Sequence, residues 1–154
     1  MLLDVSLNLN VTMSKLTGIN VVTAFLEFDG QILILRRSNS AKTMKEKWGA
    51  VSGYIENNDP LSQAVIEIYE ETGLDSSKIK LVRSGEVLAA IDPEKPNTSY
   101  NVHPYLFQSE SGEVILSREH DQFKWITMKE IWKYDTVPKL KEAYESVAEA
   151  LHTR

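Results

Sequence analysis

Glu67, Glu70 and Glu71 fall at spacing i, i+3, i+4, and no Lys or Arg occurs between Asp59 and Ser77. On a helix, at ~100° per residue, the three carboxylates share one stripe about 100° wide. Like charges so placed repel by roughly 0.2–0.5 kcal/mol per pair. Convergent carboxylates without a cationic neighbour suit a hard divalent cation, which prefers oxygen ligands.

The composition removes most rival chemistries. With no Cys, the chain has no disulfide framework, cysteine nucleophile, zinc ribbon or cysteine-ligated iron–sulfur cluster. Its three histidines, His103, His120 and His152, match no zinc spacing. Its seven glycines form neither G-x-G-x-x-G nor a P-loop, and there is no G-x-S-x-G elbow. A net charge of −5 argues against a nucleic acid duplex as partner. No apolar run approaches the ~18 residues of a membrane span, and Met1–Met13 lacks the features of a secretory signal. A soluble, cytoplasmic protein is expected, and 154 residues, 42% of them hydrophobic, suit one folded domain.

The elements that must position the carboxylates are legible. Asp59 is a good N-cap, Pro60 suits a first helical position and Gly73 supplies a left-handed stop, which predicts a helix over Pro60–Thr72. Leu61, Ala64, Val65 and Ile68 give that helix an apolar stripe. Val21–Phe28 and Ile32–Leu35 read as strands joined by a hairpin at Asp29-Gly30. Trp48–Gly53, Ile79–Ile91, Tyr100–Phe107 and Phe123–Ile126 read as further strands, with a polar loop over Asp92–Ser99. Leu140, Ala143, Tyr144, Val147 and Leu151 recur at helical spacing, with Pro138 near the first turn. The strand-rich middle between two amphipathic helices predicts a mixed α/β (α+β) layer fold, one helix on each face of a central sheet. Residues 1–17 form an extension in which Leu3, Val5, Leu7, Leu9 and Val11 alternate with polar residues. That period predicts an edge strand, and pairing it with a second chain would make a homodimer.

Gly53-Tyr54-Ile55-Glu56, followed by Glu67-Ile68-Tyr69-Glu70-Glu71-Thr72-Gly73-Leu74, resembles the signature of the Nudix hydrolase family, G-x(5)-E-x(7)-R-E-U-x-E-E-x-G-U, with U apolar. The second half matches at every specified position. Arg36-Arg37 closing a strand, Trp48-Gly49 entering the glycine turn, and Glu119-His120 before Phe123-Lys124-Trp125 fit the same family, so the resemblance runs from about Gly18 to Leu151. The chain departs from the signature in its first half. Ile66 stands where the family has Arg, the earlier glutamate is absent with Asp59 the nearest carboxylate, the loop is one residue shorter, and Ser52 replaces a glycine. In the family that arginine and glutamate help fix the loop onto the helix, so Ile66 is expected to pack its apolar chain against the loop or core instead.

The resemblance implies an α/β/α sandwich with a central mixed sheet, spanning residues 18–154. It also implies hydrolysis of a nucleoside diphosphate linked to another moiety, by attack of water on phosphorus. The implied cofactor is Mg²⁺, with Mn²⁺ as an alternative, which bridges phosphate oxygens and acidifies water. On the same basis Glu70 and Glu71 are the main metal ligands, Glu67 a further ligand or base, and a backbone carbonyl near Ser52 or Gly53 completes the site. Glu119 is the candidate general base, with Asp121, Glu67 and His120 as rivals. Of Arg36 and Arg37 at most one faces inward, since neighbours on a strand face opposite ways, and the resemblance favours Arg37 as the phosphate contact. Lys42, Lys45 and Lys47 could add a positive rim. Tyr54, Trp132 and Tyr134 are the aromatics available to stack on a base, while Trp48 and Trp125 read as core. The alternative reading is a weakly active or inactive nucleotide-binding or sensing module on the same fold. An isopentenyl diphosphate isomerase, which shares this architecture, uses a cysteine that the chain lacks.

Overall fold

The structure, a computed structural model, describes residues 18–148. The alternating segment Leu3–Val11 and the end of the terminal helix near Leu151 lie outside the described residues. In chain order the elements are β1 (Ile19–Phe28), β2 (Gln31–Arg37), β3 (Trp48–Gly49), β4 (Val51–Tyr54), α1 (Pro60–Thr72), β5 (Ile79–Ser84), β6 (Leu88–Asp92), β7 (Lys95–Ser109), β8 (His120–Ile126) and α2 (Leu140–Ala148). Short 3-10 turns precede β5 and follow β8.

The eight strands form one mixed sheet. β1 runs parallel to β7, from Ile19↔Tyr100 to Glu27↔Gln108, and every other pairing is antiparallel. The far edge of β1 is shared. Its C-terminal end takes β2 at Glu27↔Ile32, and its N-terminal end takes β4 from Val21↔Tyr54 to Ala24↔Val51. β2 itself goes on to pair with β3 and β8. The sheet thus forks where β2 and β4 part.

Strand alternation sends neighbours to opposite faces. Val22, Ala24 and Leu26 of β1, with Leu33 and Leu35 of β2, pack on Ala64 and Ile68 of α1. Phe25, Ile32 and Ile34 turn the other way and pack with Leu140, Ala143 and Val147 of α2. One helix on each face is the layered arrangement expected from the sequence. No helix among the described residues is long and apolar enough to cross a membrane.

α1 keeps its predicted bounds. Asp59 Oδ1 accepts from Ser62 N at 2.7 Å, and Gly73, at φ 81°, donates its N–H to Tyr69 O at 2.9 Å. The apolar stripe is narrower than expected, because Leu61 is exposed while Gln63 is buried. Several strand boundaries also differ. The single strand expected over Ile79–Ile91 is two, broken where Gly85 passes so close to Ser146 and Pro104 that a side chain has no room. The Asp92–Ser99 loop is mostly strand, a tight hairpin in which Asp92 Oδ1 accepts from Glu94 N at 2.8 Å. Among the described residues Pro96 has no ladder partner: β7 pairs with β1 from Tyr100 onward, and its pairing with β6 passes from Lys95 to Ser99. The Trp48–Gly53 strand is interrupted at Ala50, where the chain passes from pairing with β2 to pairing with β1. Pro138 stands just ahead of the first turn of α2, as expected, with Lys139, at φ 66°, between them.

Candidate active site

The fork in the sheet opens a cleft of about 330 Å³. Glu67 and Glu70 reach it from α1, Ser52, Gly53 and Tyr54 from β4, Arg37 from the end of β2 and Glu119 from the segment entering β8. Lys42, Met44, Ile91, Tyr100 and Lys139 also line it.

Glu67 is the most constrained of the acids. Its carboxyl group lies against Gly53, in the space a β-carbon there would fill, and its Oε2 accepts from Gln63 Nε2 at 2.8 Å. Glu70 is exposed on the cleft side of the helix. Glu71 is buried beneath and does not line the cleft; its Oε1 accepts from Ser52 N at 3.4 Å. Burial, opposed by the Gln63 bond and reinforced by the charge of Glu70, raises the Glu67 pKa above the usual 4.5. Burial first, then the charge of Glu67, holds the Glu71 carboxyl well above that value. Among the described residues no Lys or Arg forms an ion pair with any of the three.

This donor set fits a divalent cation in chemistry. The donors are oxygens, their charges oppose one another and Glu119 adds to the repulsion felt by Glu67 and Glu71. A buried polar atom also lacks a partner here: His120 Nδ1 makes no hydrogen bond and stands 3.9 Å from Glu71 Oε1. As they stand, no three acidic or histidine side chains among the described residues enclose a metal position. Glu67 and Glu70 are the acids at the cleft that would hold Mg²⁺, whereas Glu71, expected as a main ligand, is buried beneath them. Ser52 lines the cleft beside Gly53, and its N–H donates to Glu71 Oε1.

The second group of residues divides in two. Arg37 lines the cleft, with its Nε donating to Thr43 O at 2.8 Å. Arg36 does not; Nη1 donates to Asp121 Oδ2 at 2.6 Å and Nη2 to Glu46 Oε1 at 3.2 Å. A register shift in the β2–β8 pairing between the two arginines helps direct them apart. Asp121, a rival base, is therefore occupied by Arg36. His120 is buried and outside the cleft lining, and burial, with Arg37 nearby and Asp121 opposing, pushes its imidazole down to about 4. At neutral pH it is an uncharged ring beneath the acids. Glu119 remains in the cleft, its carbonyl accepting from Ser38 N at 2.8 Å, which ties its loop to the end of β2.

Tyr54 lines the cleft, half exposed. Beside it Met44, Ala90, Tyr100 and Val102 pack into one apolar patch. Trp132 is 78% exposed and outside the lining, and Tyr134 packs edge-on to buried Trp48. Lys42 is in the lining, while Lys47 is paired with Asp135. Met44, Ile91, Tyr100 and Lys139 were not foreseen. No local spacing marks them, since four separate segments meet only in the folded cleft.

The family model of the NUDIX domain matches residues 16–147. The chain belongs to the Nudix family. No curated protein matches the chain in sequence. Among solved structures, the MutT protein from Methanosarcina mazei Go1 matches with a TM-score of 0.70 at 21% identity, over 87% of this chain and 95% of that one. A C. elegans Ap4A hydrolase gives 0.70 at 17%, over 88% and 99%. The NUDIX domain of Shewanella oneidensis NrtR, solved with ADP ribose, gives 0.65 at 17%, over 88% and 89%. At these identities the likeness is one of fold.

One expectation drawn from the Nudix signature is corrected. Ile66, at the position of the signature arginine, does not pack into the loop or core; it is 37% exposed. On the helix it follows buried Ala64 and half-buried Val65, so rotation carries it past the core-facing side toward solvent.

Proposed function

We propose that this Nudix protein is a Mg²⁺-dependent pyrophosphohydrolase that cleaves a nucleoside diphosphate linked to another moiety by attack of water on phosphorus. The observation that carries this reading is the grouping, in one cleft, of Glu67, Glu70 and Glu119 with Arg37 and an apolar, tyrosine-bearing patch. A diphosphate repels both a nucleophile and a carboxylate, so catalysis requires charge neutralisation and water held in line. Mg²⁺, when bound, supplies neutralisation and lowers the pKa of water. Glu67 and Glu70 offer ligand oxygens at the cleft surface, and Glu71 supports them from below. Arg37 and Lys42 supply positive charge for phosphate oxygens. Glu119 takes the proton of the attacking water, as an exposed carboxylate on a tethered loop. Tyr54 and the patch around Tyr100 give the nucleoside a surface on which to stack.

The deciding experiment incubates the protein with nucleoside triphosphates, dinucleoside polyphosphates, ADP-ribose and other nucleotide sugars, with Mg²⁺ or with EDTA. Release of phosphate, pyrophosphate or nucleoside monophosphate that requires Mg²⁺ and collapses in Glu70→Gln supports the reading. Activity that persists in EDTA, or no hydrolysis of any substrate, overturns it.

A further inference from the structure

Gln63 lies one turn before Glu67 on α1 and is 3% exposed. Its neighbours Ala64 and Ile68 are core, so an apolar side chain would be the ordinary occupant of such a position. Ordering a buried glutamine costs side-chain entropy, and its amide must find partners at both ends. It does. Nε2 donates to Glu67 Oε2 at 2.8 Å, and Oε1 accepts from Asn58 Nδ2 at 3.1 Å. The direction is set by chemistry: an ionised carboxylate only accepts, so the amide nitrogen faces Glu67 and the oxygen is left for the Asn58 donor. Asn58 belongs to the loop between β4 and α1. Three side chains thus connect loop, helix and cleft.

The same carboxylate is confined from the other side by Gly53. Glu67 is thus contacted by the glycine on one side and the amide on the other. Ile66, exposed and apolar, offers it no bond. We propose that Gln63, braced by Asn58, is a positioning residue that holds the Glu67 carboxylate over Gly53 for the divalent cation. Because an amide is neutral, it fixes the oxygen without cancelling the charge the cation needs. A guanidinium or ammonium at the same place would also hold the carboxylate but would compete electrostatically with the metal. The inference rests on the reading of Glu67 as part of the metal site.

The test uses Gln63→Met, which keeps the length and volume of the side chain and removes both hydrogen bonds, and Asn58→Ala, on the exposed loop. Mn²⁺ and Mg²⁺ are titrated calorimetrically into the substrate-free proteins, with kcat, KM and thermal melting measured alongside. Loss of an outer partner of a metal ligand typically weakens metal binding by about 10–100-fold. Gln63→Met is expected at that level, with a melting point near wild type and substrate KM at saturating metal changed less than about twofold. Asn58→Ala is expected to weaken metal binding in the same direction by a smaller factor. Wild-type metal affinity in a folded Gln63→Met overturns the proposal; should that variant not fold, wild-type affinity in Asn58→Ala does so. A wild-type protein that binds no metal overturns the metal reading and this proposal together, and that outcome is visible before any variant is made.

Discussion

Replacing Gly53 with Ala separates the geometry of the site from the stability of the fold. Gly53 is not among the residues with positive φ, so its backbone accepts Ala without strain. The change then gains about 0.4–1 kcal/mol by narrowing the unfolded ensemble. Against this, the new methyl group would overlap the Glu67 carboxyl, both oxygens and Cδ included. Carbon atoms rest about 3.5–4.0 Å apart, so the carboxyl must retreat by roughly 1 Å or more. Glu67 is the end of a flexible side chain and does so by changing rotamer, at about 0.5–1.5 kcal/mol. It also loses the Gln63 bond, nominally about 1.5–3 kcal/mol for a charged acceptor but less here because Glu67 is half-buried. The net cost is about 1–2 kcal/mol, or roughly 2–8 °C in Tm for a domain of this size. A misplacement of about 1 Å in a catalytic constellation costs on the order of 100-fold in rate. Gly53→Ala is therefore expected to melt within a few degrees of wild type while kcat falls about 100-fold at saturating Mg²⁺. Melting by circular dichroism and steady-state hydrolysis of the best substrate check both halves. A folded variant with wild-type kcat refutes the placement of Glu67 over Gly53 in the working enzyme.

Three further outcomes are expected. Raised pKa values at Glu67 and Glu71 mean that the folded, metal-free protein holds protons the unfolded chain has released, so their contribution is full below the unfolded value near 4.5 and is lost as pH rises through the folded values. His120, lowered from 6.5 to about 4, works oppositely: its contribution is complete above 6.5 and is lost as pH falls toward about 4. As pH rises through the folded carboxylate values, Tm in EDTA falls relative to a Glu67→Gln, Glu71→Gln double variant, and saturating Mg²⁺ flattens the difference; parallel pH profiles for the two proteins in EDTA contradict the assignment. Arg37→Ala lowers kcat/KM by about 10–100-fold through lost charge-assisted bonds to phosphate, whereas Arg36→Ala, which frees only surface partners, changes stability by about 0–1 kcal/mol and kcat/KM little; equal kinetic losses would sink the distinction. Deleting residues 1–12 lowers Tm or converts a dimer to a monomer in solution if the alternating Leu3–Val11 segment pairs as a strand, and no change in either withdraws that strand.

What the sequence determined by itself is local. Asp59, Pro60 and Gly73 set the ends of α1 through backbone caps, and three-residue and four-residue spacings put Glu67, Glu70 and Glu71 on one helix. Strand alternation sorted the side chains of β1 and β2 into two sets on opposite faces, because a pleated strand has only two. Gln63 and Glu67 stand at i, i+4, but nothing local marked Gln63 as buried or as the partner of Glu67; the folded helix shows both.

Tertiary structure decided the rest. Whether a carboxylate on the helix reaches the cleft or the interior depends on where β4 lies, so only packing distinguishes Glu70, at the surface, from Glu71, beneath it with Ser52 and His120. Strand alternation already parted Arg36 from Arg37, but what each meets, Asp121 and Glu46 for one and the cleft for the other, depended on the fold. The break at Gly85 follows from the approach of α2, and the apolar patch around Met44 and Tyr100 from strands far apart in sequence. Periodicity records which way a side chain leaves its own backbone. What it then meets is set by contacts between distant segments, and those exist only once the sheet has forked and both helices have closed on it.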